Sequence, residues 1–223
     1  MGLLDRLLGR STDSEEGGGG GEVEEIPDIS DEFTVSEAKR GWVDIEYGGE
    51  MYHVRRTRSA DGEYMAAYRD GIQGGEDHEP GRVFLIQGED LAFTTEIDRP
   101  NACAVTNDGT LAVVDWGLDW SQDLTGTVHV FDADGNSVLS HEFDANLEPV
   151  AITPDGAYVA TSTLDPDRST YIFDVGAGRL ALKHHTPEGP VTDLRFVDGE
   201  EWLLELRAPG RDPERITLDG EPA

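Results

Sequence analysis

Residues 152–162 read ITPDGAYVATS. The Asp155-Gly156 pair suits a tight hairpin, because glycine takes a positive φ without a steric penalty. The Tyr-Val-Ala-Thr run behind it reads as a strand. The unit recurs along the chain. Among the chain's Asp-Gly pairs, those at Asp61-Gly62, Asp108-Gly109, Asp155-Gly156 and Asp198-Gly199 are spaced by 47, 47 and 43 residues. Each precedes an apolar strand: EYMAAY, TLAVVDW, AYVATST and EEWLLEL.

Two further registers share this period. The strands RVFLIQ, TVHVFD, TYIFDV and ERITLD place Ile86, Phe131, Phe173 and Leu218 at matching points. Pro100, Pro149 and Pro190 precede the first strand of successive repeats. Each repeat therefore reads as strand, Asp-Gly hairpin, strand, variable loop, strand, turn, strand, which is one blade of a β-propeller. The expected fold is all-β, a small four-bladed β-propeller over residues 40–220, with an open or half propeller as the alternatives. Blades are expected over 51–98, 102–144 and 149–187. The last repeat has only three evident strands. The early strand GWVDIEY, residues 41–47, is expected to supply the fourth and close the ring, which removes an exposed sheet edge. An open sheet stack or a half-propeller completed by dimerisation are the other solutions.

The segment ITPDGAYVATS resembles the Pro-Asp-Gly repeats of WD40-like and YVTN-type β-propellers. VFDADGNSVLSHEF, residues 130–143, is also similar to repeats of quinone-enzyme propellers. The Gly-His and Trp-Asp pairs of true WD40 repeats are absent, and Asp115-Trp116 stands in the reverse order.

The formal charge is −30, from 17 Lys plus Arg against 47 Asp plus Glu. Such a field repels nucleic acid and anionic membranes. The densest basic stretch is Arg55, Arg56 and Arg58, and no basic patch is legible. Lys39 and Lys183 are the only lysines. Acid excess with scarce lysine resembles the cytoplasmic proteins of salt-loving archaea, where concentrated salt screens self-repulsion. A cytoplasmic location is expected. Cys103, in an apolar run, has no partner for a disulfide within the chain and reads as a structural thiol.

Three segments divide the chain. Leu3, Leu4, Leu7 and Leu8 recur at helical spacing in residues 1–10, giving a short amphipathic helix suited to docking on a partner or a membrane surface. Residues 11–39 form an acidic, Gly-rich segment that cannot bury enough apolar surface to fold, with a short helical turn at FTVSEAK, residues 33–39. The propeller follows. No stretch reaches transmembrane length.

The loops between second and third strands are long and unlike one another: 69–82, 115–126, 164–169 and 207–215. The opposite Asp-Gly turns are short and uniform, so the variable loops mark the expected working face. Its candidate contact residues are Asp115, Trp116, Asp119, Trp120, Asp123 and His78. Asp115, Asp119 and Asp123 also offer carboxylates suited to Ca²⁺, though at four-residue rather than alternate spacing. His78, among Glu76, Asp77 and Glu79, lacks the second nitrogen or sulfur ligand of a zinc site. His184-His185 point to opposite faces of a strand. No Gly-x-Ser-x-Gly elbow or P-loop is present. The function expected is a non-catalytic protein-interaction module without a cofactor, using the loop face and the tethered N-terminal helix. The alternative is a metal-assisted hydrolase similar to propeller lactonases. Its carboxylates and amide would be Asp98, Asn101 and Glu148.

Overall fold

The computed structural model describes residues 33–39, 41–71, 79–117, 124–186, 189–199 and 201–223. The N-terminal helix with Leu3, Leu4, Leu7 and Leu8 lies outside these residues, as do His78, Asp119, Trp120 and Asp123. The described residues are all-β and fall into four antiparallel sheets in chain order.

The first sheet has six strands: β1 (Phe33–Glu37), β2 (Trp42–Tyr47), β3 (Glu50–Arg58), β4 (Tyr64–Arg69), β5 (Gly81–Gln87) and β6 (Asp90–Ile97). The second comprises β7 (Pro100–Val105), β8 (Leu111–Asp115), β9 (Gly126–Phe131) and β10 (Ser137–Phe143). The third comprises β11 (Leu147–Ile152), β12 (Tyr158–Thr163), β13 (Ser169–Asp174) and β14 (Arg179–His185). The last has three strands, β15 (Asp193–Val197), β16 (Leu203–Arg207) and β17 (Glu214–Thr217). Apart from β1 and β2, the sheets follow the sequence repeat strand for strand.

The hairpin turns show why the repeat is written as it is. Gly62, Gly109 and Gly156 take φ of 80°, 84° and 70°. In each turn a buried hydroxyl two residues before the aspartate, on Ser59, Thr106 or Thr153, accepts a backbone N–H from the following strand. The aspartate accepts another: Asp61 from Glu63, Asp108 from Thr110 and Asp155 from Ala157. The fourth turn has Phe196 in place of the hydroxyl, and Gly199 is not among the positive-φ glycines.

Successive sheets pack face to face through alternating side chains. Val83, Leu85 and Phe93 meet Leu111, Val113 and Phe131 between the first two sheets. Val128, Val130 and Phe143 meet Leu147, Val159 and Phe173 between the next two. Ala160 and Ile172 meet Leu194, Leu204, Leu206 and Ile216 between the last two.

Two expectations are corrected at the ends of this row. The GWVDIEY strand does not complete the last sheet. It is β2, and it pairs with β1 on one side and β3 on the other. Nor is FTVSEAK helical, since β1 begins the sheet at Phe33 rather than at residue 40. The physical reason lies in β3. Its residues up to Arg55 pair with β2, whereas Arg55 to Arg58 pair with β4. This stagger lets the sheet curl, so that Val43, Ile45, Tyr52 and Val54 close over Met65, Ala67, Phe84 and Ile86. The first sheet thus buries its outer face against itself. At the other end, residues 221–223 supply a rudimentary edge to β17 through the Ile216–Pro222 bridge. The outer face of the last sheet is charged: buried Glu205 accepts hydrogen bonds from Arg207 and Arg215, which hold its carboxyl below the usual range. Among the described residues, no strand pairing or apolar cluster joins the last sheet to the first.

Candidate functional site: an arginine-lined cleft

The expected working face holds a cleft of about 380 Å³ at the top of the interface between the first two sheets. Its walls come from five places in the fold. The curled β2–β3 hairpin gives Trp42, His53 and Arg55, and the end of β4 gives Tyr68, Arg69 and Asp70. Arg99, just before β7, and Pro100 and Asn101 at its start give the next part of the wall. Trp116 follows β8, and Glu148 lies on β11.

A chain of hydrogen bonds fixes this frame. The Tyr68 hydroxyl donates to the Asn101 carbonyl. The Asn101 side-chain amide donates to the Leu147 carbonyl at 2.8 Å, and the Trp116 indole N–H donates to the same oxygen at 2.9 Å. Trp116 N–H bonds back to the Arg99 carbonyl. Three sheets are thereby tied at one point, which is how a scaffold holds a site rigid. Burial pushes the Tyr68 hydroxyl above its usual range. The neighbouring Cys103 thiol is pushed up to about 12 by burial, which leaves it no thiolate character at neutral pH.

Arginine and aromatic groups alternate around the cleft. Arg55 lies over the Trp42 ring at 5.6 Å, and Arg99 lies over Trp116 at 5.2 Å. Arg69 lies over Tyr52 at 5.1 Å, and His53 stacks on Trp42. Arg99 faces Asp70 at 3.5 Å, and Arg69 faces Glu79 at 3.8 Å. Among the described residues, no carboxylate lies within ion-pair distance of Arg55. Among the described residues, three buried side-chain polar atoms have no hydrogen-bond partner within the protein, and two of them, Arg69 Nε and Asn101 Oδ1, belong to this cleft.

Of the contact residues expected from sequence, Trp116 lines the cleft. Asp115 is placed elsewhere. Its Oδ1 accepts the Thr127 N–H at 2.8 Å, its Oδ2 lies 3.1 Å from His129 Nε2, and its side chain is 7% exposed. That carboxylate is held between β8 and β9 by these two contacts. Of the lactonase-like set, the structure brings two members to this cleft. Asn101 and Glu148 line the cleft, whereas Asp98 does not. Three guanidinium groups beside them oppose a divalent cation by simple repulsion. Among the described residues, no group of three His, Cys, Asp or Glu has metal-binding geometry.

Sequence reasoning missed Arg55, Arg69 and Arg99 as a patch because they are far apart in the chain. The repeat carried a usable signal: a shift of 47 residues puts Arg69 on Trp116 and Asn101 on Glu148, the rim positions of neighbouring sheets. Arg56 and Arg58, from the run that looked most basic, are instead paired with Glu37.

No family model matches the chain, and no curated protein matches it in sequence. Solved structures do. One is a crystal structure of HIRA(644-1017), 12% identical with a TM-score of 0.53, the match covering 76% of this chain and 54% of that one. Another is a chain of the mitotic checkpoint complex, 13% identical with a TM-score of 0.55, covering 82% and 59%. The chain thus spans little more than half the length of these neighbours. At such identity the likeness shows the fold alone, and the fold is WD40-like, of the β-propeller type.

Proposed function

We propose that the chain is a non-catalytic protein-interaction module whose loop face, centred on the arginine-lined cleft, holds a partner. The observation that carries this reading is the rigid frame at the junction of three sheets, with Trp42, Tyr68 and Trp116 presented beside arginines. Aromatic and Arg side chains are the types that dominate the energetics of protein contacts. The structural neighbours come from WD40-type proteins, one of them in a complex, which is compatible with such a role. The leucines at positions 3, 4, 7 and 8 supply a second, tethered contact, which raises avidity through effective concentration. The acidic, lysine-poor composition supports the reading that this module works in a salt-rich cytoplasm, where screening would weaken long-range attraction and leave short-range contacts to set specificity.

The test is affinity capture in concentrated KCl with three full-length baits: the native chain, Arg55→Glu, and Leu4→Glu/Leu8→Glu. The proposal expects a partner that the native chain retains, that Arg55→Glu loses and that the leucine variant holds more weakly. The same partners on all three baits, or none on any, would contradict it.

A further inference from the structure

We infer that the cleft recognises an extended peptide segment bearing carboxylate side chains, with Arg55 as the principal anchor. This rests on the interaction-module reading and names the chemistry of the partner.

The argument starts from sign. The chain carries −30 overall, so its far field favours cations everywhere on the surface. Generic attraction to a basic partner therefore gives no reason for one particular cleft. This cleft offsets the field locally, since Glu79 also faces Arg69 and three guanidinium groups there balance three carboxylates. Arg55, Arg69 and Arg99 gather there against Asp70 and Glu148. A locally balanced site that keeps one guanidinium without a carboxylate, inside an anionic molecule, selects for a short anionic feature, and it rejects a long one.

The three arginines are not equivalent. Arg99 faces Asp70, and Arg69 faces Glu79. Arg55 lies over Trp42 with no carboxylate in ion-pair range among the described residues. A guanidinium packed over an aromatic ring still presents the edge of its planar fork, which matches a carboxylate with two parallel N–H···O bonds. Trp42, Tyr68, Pro100 and Trp116 give apolar walls for the neighbouring backbone and side-chain stems. The cleft's volume is near the low end of ligand-sized sites, roughly 300–1,000 Å³, which suits a few residues of a segment.

A single-stranded nucleic acid also pairs with arginine and stacks on aromatic rings. It carries a phosphate on every nucleotide, however, and so brings its charge against the acidic surface along its whole length. A peptide carries charge only where an acidic side chain meets Arg55. The geometry and the surrounding field favour the peptide.

The experiment is selection of a random peptide library on the immobilised full-length chain, repeated with Arg55→Glu and with the milder Arg55→Gln, both checked for native thermal unfolding. Selected sequences are expected to be enriched in Asp and Glu. A selected peptide should bind Arg55→Gln roughly tenfold more weakly, and Arg55→Glu should not enrich acids. Oligothymidylate, followed by the fluorescence of Trp42 and Trp116, should not saturate. Enrichment of basic or neutral peptides, indifference to Arg55, or saturable oligothymidylate binding tighter than the peptide would each overturn the inference. If a captured partner is still lost with Arg55→Glu while the library shows no acid preference, the peptide chemistry fails and the module reading stands. Acid-selective peptides together with capture indifferent to Arg55 would mean the reverse.

Discussion

Asp167 shows how single residues hold the loop face in place. Burial alone would raise its carboxyl, but hydrogen bonds from Tyr171, Lys183 and Thr163 outweigh that and hold it down to about 2. Its Oδ2 lies 2.6 Å from the Tyr171 hydroxyl, and its Oδ1 lies 2.9 Å from Lys183 Nζ. One of the two lysines in an acidic chain is thus spent on a fixed bond inside the third sheet, where it also lies over the Tyr171 ring. The group is depressed relative to an unfolded carboxyl near 3.9, so it stabilises the fold above about pH 4 and loses that contribution as pH falls through about 2. Asp167→Asn should cost on the order of 2 kcal/mol at neutral pH. The gap in melting temperature between native chain and variant should narrow as pH falls from 5 toward 2. A gap independent of pH would mean that the carboxylate's charge is not what stabilises the loop.

The turn is the element at which sequence and structure agree most closely. At Gly62, Gly109 and Gly156 the Asp-Gly pair states its own backbone requirement, and together with the apolar strand that follows each pair it announced the hairpins and their period. Side-chain contacts between turns were not legible, because they depend on how neighbouring sheets meet. Gly109 and Gly62 separate the two effects. Both have positive φ, but a Cβ on Gly62 would enter open space, whereas one on Gly109 would lie 2.8 Å from the Tyr64 ring of the adjacent sheet. Gly62→Ala should therefore cost only the backbone strain, about 1 kcal/mol, while Gly109→Ala adds the clash and costs about 2–4 kcal/mol. Denaturant unfolding of both variants checks this. Equal losses would contradict the packing of Tyr64 against the second turn. The cleft was illegible for the same reason. Trp116 could be named because its loop is unusual, but Arg69 and Arg99 become neighbours only once three sheets are stacked.

At the scale of the whole molecule, the ends of the row decide the architecture. The repeat count leaves one blade a strand short, and an unassigned strand at the front looks like its complement. That inference treated a sheet edge as the only liability. An exposed apolar face is the larger one, and β1 and β2 are spent on covering it. Ile45, fully buried in the curl, measures that investment. Ile45→Ala should cost about 2–5 kcal/mol, as for a core position. A loss under about 1 kcal/mol, seen in the urea midpoint, would mean that the hairpin is only loosely applied. The same curl brings Trp42 and Arg55 over the interface of the first two sheets, so the device that ends the row also builds one wall of the site.

The account makes the loop face, and within it the arginine-lined cleft, the surface that meets a partner. Hydrogen exchange of the full chain, alone and with a captured partner, tests this most directly. Slowed exchange is expected at Tyr68 to Asp70, Arg99 to Asn101 and Trp116, with the Asp-Gly turns around Gly62, Gly109 and Gly156 unchanged. Protection confined to those turns, with the cleft segments exchanging as in the free chain, would contradict it.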